Sequence, residues 1–352
     1  MTATATPFPN TSPPAATPTP CEDSAATRST VDTSKAAAAM LREVLTPDER
    51  KALLKISAWR SWWMVASNWV LIFAVMGLVA WWPNGLTVLV ALFIIGARQL
   101  GMAIVMHEAA HRTLFKNRRL NDWVGNWLAA YPVWADVAPY RAYHLVHHTR
   151  TGTDQDPDLG LAMPFPVTRS SFKRKVRRDL SGQTGWKQAK AVFLRDIGWS
   201  RRRNQRTVLG MNSGERPNVG WHKLVPVAVT NAVLLGLLTV AGYPALYLLW
   251  VVAWLTTYRL VTRIRSIAEH GMVPDHLDPL RNTRTIITRW WERLLIAPNR
   301  VNFHLEHHLL MTVPHHNLPR LHHLLRARRA IDEACVTPGY LEVLRLATAR
   351  PE

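Results

Sequence analysis

The chain has 352 residues, with 43 Lys and Arg against 24 Asp and Glu, a formal net charge of +19. Its apolar residues are segregated. The 37 residues between Arg60 and Arg98, and the 35 between Lys223 and Arg259, contain no Asp, Glu, Lys or Arg, runs too long for the core helices of a soluble globule. Two cysteines, Cys21 and Cys335, exclude thiolate clusters, and no zinc-finger or basic-zipper pattern accompanies the positive charge, so an anionic membrane surface is the expected partner and nucleic acid is not.

In chain order, residues 1–34 read as a disordered tail, interrupted by Pro7, Pro9, Pro13, Pro14, Pro18 and Pro20, and without the basic-then-apolar pattern of a secretory leader. Residues 35–58 read as an amphipathic cytoplasmic helix, and Thr46-Pro47-Asp48-Glu49 has the form of a helix start. The first apolar run predicts spans at about 62–82 and 86–106, turned at Pro83-Asn84-Gly85. Trp59, Trp62 and Trp63 at one end and Trp81 and Trp82 at the other stand at the depths that indole rings prefer. The second run predicts spans at about 224–241 and 245–263, turned at Gly242-Tyr243-Pro244.

Both turns are uncharged and the flanks are rich in Arg. The expected architecture is an all-α integral membrane protein of four transmembrane helices in two hairpins, with a helical cap and both termini in the cytoplasm. Residues 59–325 would form one membrane-bound domain and 326–352 a C-terminal cytoplasmic tail. A short interfacial helix is expected between Asn121 and Trp134. A basic stretch runs from Arg169 to Arg206, through Lys173, Arg174, Lys175, Arg177, Arg178 and Arg201 to Arg203. It suits lipid headgroups or an acidic electron-transfer partner.

Fifteen histidines carry the chemical signal. Three groups stand just outside the apolar runs: His107-Glu108-Ala109-Ala110-His111, His144-Leu145-Val146-His147-His148 and His304-Leu305-Glu306-His307-His308. In a helix, positions i, i+3 and i+4 share a face, so each group presents two or three imidazoles to one side. His270 follows the fourth span and is a ninth member. Imidazole ligates zinc, copper, iron and nickel, and one zinc takes about three or four ligands, so nine converging histidines suit two metal ions with positions left for oxygen.

Other readings use fewer residues. HExxH alone describes a zinc hydrolase with Glu108 as base, and leaves both HxxHH groups without a role. A histidine-rich metal transporter would place ligands inside the spans, and a non-catalytic membrane adaptor would need none. His222, His276, His315, His316, His322 and His323 remain; the pairs His315/His316 and His322/His323 could bind metal, but the favoured reading is an ordinary one, with a polar amphipathic helix after Pro319 facing the cytoplasm.

With HxxxH, HxxHH and a second HxxHH in this order around two apolar hairpins, the chain resembles the membrane-bound fatty acid desaturase superfamily over roughly residues 60–325. The resemblance implies two iron ions ligated by His107, His111, His144, His147, His148, His270, His304, His307 and His308, with O2 as co-substrate. It further implies two electrons from a separate ferredoxin or small cytochrome with its reductase. Some members place a water-bridged Asn four residues before the lone histidine; here that position is Ser266.

A ligating imidazole usually donates its second N–H to a carboxylate or carbonyl, which makes Glu108, Asp154, Asp156, Glu269 and Glu306 candidates, with Asn302 beside the third group. Arg98 is the one full charge within the spans and a candidate to hold a substrate carboxylate, to brace the helix hairpin or to pair with Glu269.

The implied activity is hydrogen abstraction from an acyl chain of a fatty acid, acyl-lipid or acyl thioester, with desaturation ranked first. Terminal-alkene-forming decarboxylation, lipid or alkane hydroxylation and carotenoid ketolation are the alternatives within the superfamily. The Arg- and Ala-rich composition points to a bacterial inner membrane.

Overall fold

The computed structural model describes residues 33–199 and 220–351. Cys21, nearly all of the 1–34 tail and Arg201 to Arg206 lie outside these residues. The expected helix over 35–58 is two: α1 (Thr33–Val44) and α2 (Pro47–Leu53). The break is at Thr46, whose side chain accepts from the Glu49 backbone N–H while the Glu49 carboxylate accepts from the Thr46 backbone N–H, at 3.3 and 2.9 Å. That reciprocal pair satisfies two helix-end donors and starts a new helix.

Four helical stretches are long and apolar enough to cross a membrane: Pro47–Trp81, Gly85–Ala110, Trp221–Val240 and Pro244–His270. Within the first lies α3 (Ala58–Trp81), and the second is α4 (Gly85–Ala110). Asn84 caps α4, accepting from the backbone N–H groups of Leu86 and Thr87 at 2.9 and 3.1 Å. From Ile94 to Ala110 nearly all of α4 is buried, so α4 is the central post and the other elements pack around it.

After α4 come α5 (Arg118–Gly125), a π-helical turn (Asn126–Ala130) and a short 3₁₀ turn (Tyr131–Val133). These three pieces stand where one helix over 121–134 is expected. The second histidine group is on α6 (Val137–Arg150). Three further helices follow: α7 (Leu159–Ala162), α8 (Arg169–Leu180) and α9 (Gln183–Asp196). Asp179, fully buried at the end of α8, accepts two hydrogen bonds from Arg263 and ties the basic stretch to the end of the fourth span.

The third of these stretches holds α10 (Leu224–Val240). The fourth, expected as one helix over 245–263, breaks at Thr256 (φ −120°, ψ −85°) into α11 (Tyr247–Leu255) and α12 (Thr257–His270). Close packing accounts for the break. Thr257 Oγ1 donates to the Leu92 carbonyl of α4 at 2.6 Å. A Cβ at Gly96 would overlap Thr257 Oγ1 and come within 2.7 Å of Tyr258 N. Only glycine lets the two backbones approach this far. The redirected α12 carries Arg265, Glu269 and His270 toward the histidine groups.

Two corrections concern the C-terminal half. The fold is not wholly helical: β1 (Thr285–Ile286) and β2 (Val336–Thr337) pair in parallel. Residues 326–352 are no tail either, since β2 leads into α16 (Tyr340–Ala347), whose Tyr340, Val343 and Ala347 are fully buried in the main core. Between β1 and β2 lie α13 (Trp290–Leu295), α14 (His304–Leu309) with the third histidine group, and α15 (Leu318–Ala327). A second, smaller core joins Ala37, Leu41, Leu45 and Leu53 of the N-terminal helices to Leu305, Leu309, Leu321 and Leu325.

Candidate metal centre

All nine histidines of the three groups and His270 meet in two sets. One holds His107, His111, His144, His148 and His307; the other holds His147, His270, His304 and His308. Within each set the possible ligand atoms lie within 4.8 Å of one another. Six of the rings are buried, and His111, His270 and His308 are half-buried.

The HxxHH spacing explains the division. Adjacent positions on a helix differ by about 100°, so His147 and His148 cannot face the same point. On α6 the i, i+4 pair His144 and His148 joins the five-histidine set, and His147 joins the other. On α14 the assignment is exchanged: His304 and His308 join the four-histidine set, and His307 crosses to the first. Each HxxHH group therefore serves both sets and keeps them adjacent, while His107 and His111 serve the first alone. The His148 and His308 ring centroids are 4.3 Å apart, and His148 Nε2 lies 3.0 Å from His307 Nε2.

The donor set fits metal ions. Both ring nitrogens of His107, Nε2 of His111 and His308 and Nδ1 of His307 are buried without a hydrogen-bond partner among the described residues. Buried polar atoms without partners are costly, and a cation would satisfy them. Burial also holds the pKa values of His111, His144, His148, His304, His307 and His308 below the usual histidine range, which leaves neutral imidazole, the ligating form.

The candidate carboxylates divide by position. Asp156 is buried and lies 2.7 Å from His147 Nδ1, fixing that ring with its Nε2 toward the second set. Burial lowers the His147 pKa, the Asp156 carboxylate more than offsets it, and the net direction is upward. Glu269 lies 3.5 Å from His304 Nε2 and is paired with Arg265 at 2.6 Å. Glu108 Oε1 is 3.7 Å from His107 Nδ1, while Oε2 accepts from Thr113 Oγ1 at 2.9 Å and from the His315 backbone N–H at 3.0 Å. With both oxygens engaged and 2% exposure, Glu108 is placed as a support and not as the free base of a hydrolase.

The remaining candidates do not bond the nine histidines. Asp154 is exposed. Asn302 exchanges hydrogen bonds with Ile286, donating through Nδ2 and accepting through its carbonyl, both at 2.9 Å. Glu306 accepts from Thr285 and meets His322. Ser266 donates to the Thr262 carbonyl at 3.0 Å and lines a cavity of about 40 Å³ with Tyr140, His144, His147, His270 and His304. Arg98, 5% exposed, donates to the carbonyl of Leu294 at the end of α13, where a cation complements the helix C-terminus. Glu269, its expected partner, is taken by Arg265.

Sequence reasoning missed His315 and His322. Both are buried and placed against box carboxylates, whereas His323 is exposed on the expected polar face. Their signal was spacing: His322 stands one turn from apolar Leu318 and Leu325 and so belongs to the buried stripe of α15. It also missed Tyr140, stacked on His144 with ring centroids 5.1 Å apart, and Arg265, which holds Glu269.

The chain is similar in sequence to known proteins. The dihydrorhizobitoxine desaturase of Bradyrhizobium elkanii is 29% identical over 244 residues, 67% of this chain and 66% of that protein. The sn-1 acyl-lipid omega-3 desaturase (ferredoxin) of Nostoc sp. (strain 36) is 24% identical over 256 residues, 68% of this chain and 64% of that protein. The chain thus spans just under two thirds of the length of these relatives. A shorter match, 33% over 85 residues, covering 24% of this chain and 21% of that protein, is to the beta-carotene 4-ketolase of Protosiphon botryoides. The family model for fatty acid desaturase matches residues 80–337, all nine histidines included, and the chain belongs to the fatty acid desaturase family.

Proposed function

We propose that the protein is an O2-dependent di-iron membrane desaturase that introduces a C=C bond into an acyl chain of a fatty acid, acyl-lipid or acyl thioester. The observation that carries this reading is the division of nine histidines into adjacent sets of five and four. Two iron ions, when bound there, supply the redox chemistry that lets O2 oxidise an unactivated C–H bond. The net reaction takes the saturated chain, O2, two electrons and two protons to the alkene and two waters. The electrons come from a separate ferredoxin or small cytochrome, a reading that fits the ferredoxin named for the Nostoc relative.

The chain's own residues hold and exclude. α4, α6, α12 and α14 bring the imidazoles together. Asp156 and Glu269 orient His147 and His304, and Asp154, Asn302 and Arg98 act at a distance from the ligands. The cavity beside Tyr140, Arg265, Ser266 and Glu269 has room for a molecule the size of water or dioxygen. Buried apolar residues of α4 and α11 keep the far side dry, which strengthens every polar interaction inside.

The spans pair as two hairpins, with their uncharged turns on one side. The termini and the histidine-bearing helical cap lie on the other, cytoplasmic, side of a bacterial inner membrane. The charge asymmetry supports this orientation.

Mass spectrometry of whole-cell fatty acids and headspace volatiles tests the function. It compares cells carrying wild type, His307→Ala or empty vector, grown with iron, oxygen and a co-expressed ferredoxin and reductase. New internal double bonds in the wild type alone support desaturation. Hydroxylated, oxo or chain-shortened terminal-alkene products, or a profile identical to the vector control, overturn it.

A further inference from the structure

We propose that His322 is a positioning residue of the metal centre, holding through Glu306 the orientation of the short helix that presents His304, His307 and His308. The proposal rests on the reading of the nine histidines as metal ligands. α14 has only six residues, too few for a helix that is stable on its own. Its orientation is therefore set by whatever grips it from outside.

Besides the packing of Leu305 and Leu309 in the second core, two polar grips are visible. At its start, Asn302 is bonded to Ile286 of β1 by two hydrogen bonds of 2.9 Å. At its middle, Glu306 points away from the metal side, since its neighbours in the box take that face. Glu306 is fully buried, and its two oxygens are engaged separately: Oε1 lies 2.6 Å from His322 Nδ1, and Oε2 accepts from Thr285 Oγ1 at 2.5 Å. His322 is 4% exposed, and its ring packs tilted against Phe303 at 5.4 Å. Removing one partner from a buried carboxylate is strongly unfavourable, and a six-residue helix relieves that by turning. A turn of α14 moves ligands of both histidine sets together.

His322 itself is firmly held. α15 lies in the second core through Leu321 and Leu325. Asn317 just before it donates to the Leu53 carbonyl at 2.7 Å, and Arg328 just after it bonds both oxygens of Glu49 at 2.9 and 2.6 Å. The segment that bears His322 also bonds Glu108 through the His315 backbone N–H. One outer segment thus touches the carboxylates of the first and third boxes.

The test uses the full purified chain, metal-free, titrated with cobalt(II) and followed by calorimetry and visible absorption. His322→Leu keeps bulk without a donor, and His322→Asn places an amide N–H near the position of Nδ1. The expected result is about 10–100-fold weaker cobalt binding with an altered spectrum in His322→Leu, largely restored in His322→Asn. Melting of the metal-free variants, measured alongside, gives the folded fraction. Wild-type affinity and spectrum in His322→Leu overturn the proposal, as does an affinity loss accounted for by its unfolded fraction. Absence of cobalt uptake by the wild type overturns the metal reading, and the proposal with it.

Discussion

The five-histidine and four-histidine sets share the two HxxHH groups, with His107 and His111 only in the first and His270 only in the second, and they are held differently. The five-histidine set rests on the buried end of α4, and ring nitrogens of His107, His111 and His307 are buried there without a hydrogen-bond partner among the described residues. Glu108, its nearby carboxylate, stays 3.7 Å from His107 and bonds Thr113 and His315 instead. The four-histidine set has Asp156 at 2.7 Å from His147, Glu269 at 3.5 Å from His304 and the small cavity alongside. One set is fixed by helix packing; in the other the Asp156 carboxylate hydrogen-bonds His147 and locks its ring, with Glu269 beside His304.

The largest expected effect comes from removing a histidine of the five-histidine set that also touches the four-histidine set. His148 Nε2 lies 3.0 Å from both His144 Nε2 and His307 Nε2, and its ring meets that of His308. His148→Ala should abolish product and lower bound metal from two ions to one or none. Metal analysis of the purified variant reads this directly, and a retained single ion shows that the four-histidine set stands alone. Next, Asp156→Asn should weaken metal binding about 10–100-fold, in one of two titration steps only. Glu108→Gln, acting on the packing-held set, should do less; equal effects would remove the distinction between the sets.

Stability gives smaller effects. Gly96→Val forces α4 away from the Thr257 break and should lower stability by about 1–3 kcal/mol in a thermal melt, with activity reduced because α12 carries His270. Acid should act mainly through the histidines whose pKa burial depresses. Unfolded, these bind protons near pH 6.5; folded, they resist, so the metal-free protein loses stability as pH falls below about 6.5. His147, raised by Asp156, opposes this: its contribution is present in acid and lost as pH rises through its folded pKa. Asp156→Asn should therefore steepen the acid loss in a pH series of melts. Smallest, Arg98→Met leaves the Leu294 carbonyl without its donor and should cost about 1–3 kcal/mol with KM unchanged. A rise in KM at constant kcat would return Arg98 to the role of a carboxylate anchor.

What the sequence determined by itself is what depends on local spacing and on long apolar runs. The uncharged stretches of 37 and 35 residues require four helices able to cross a membrane, and the i, i+3, i+4 histidine spacings require imidazoles gathered on helix faces. Tertiary structure decided what depends on contacts between distant segments. HxxHH shows that one helix carries three imidazoles, but only the crossing of α6, α12 and α14 assigns His147 to one set and His148 to the other. The break at Thr256 follows from the approach of Gly96, about 160 residues earlier, and helix propensity alone carries no trace of it. Asp156 and Asp154 look equivalent in sequence, and the turn after α6 buries one and exposes the other. His322 became part of the site because Glu306, 16 residues before it, is buried and needs a partner.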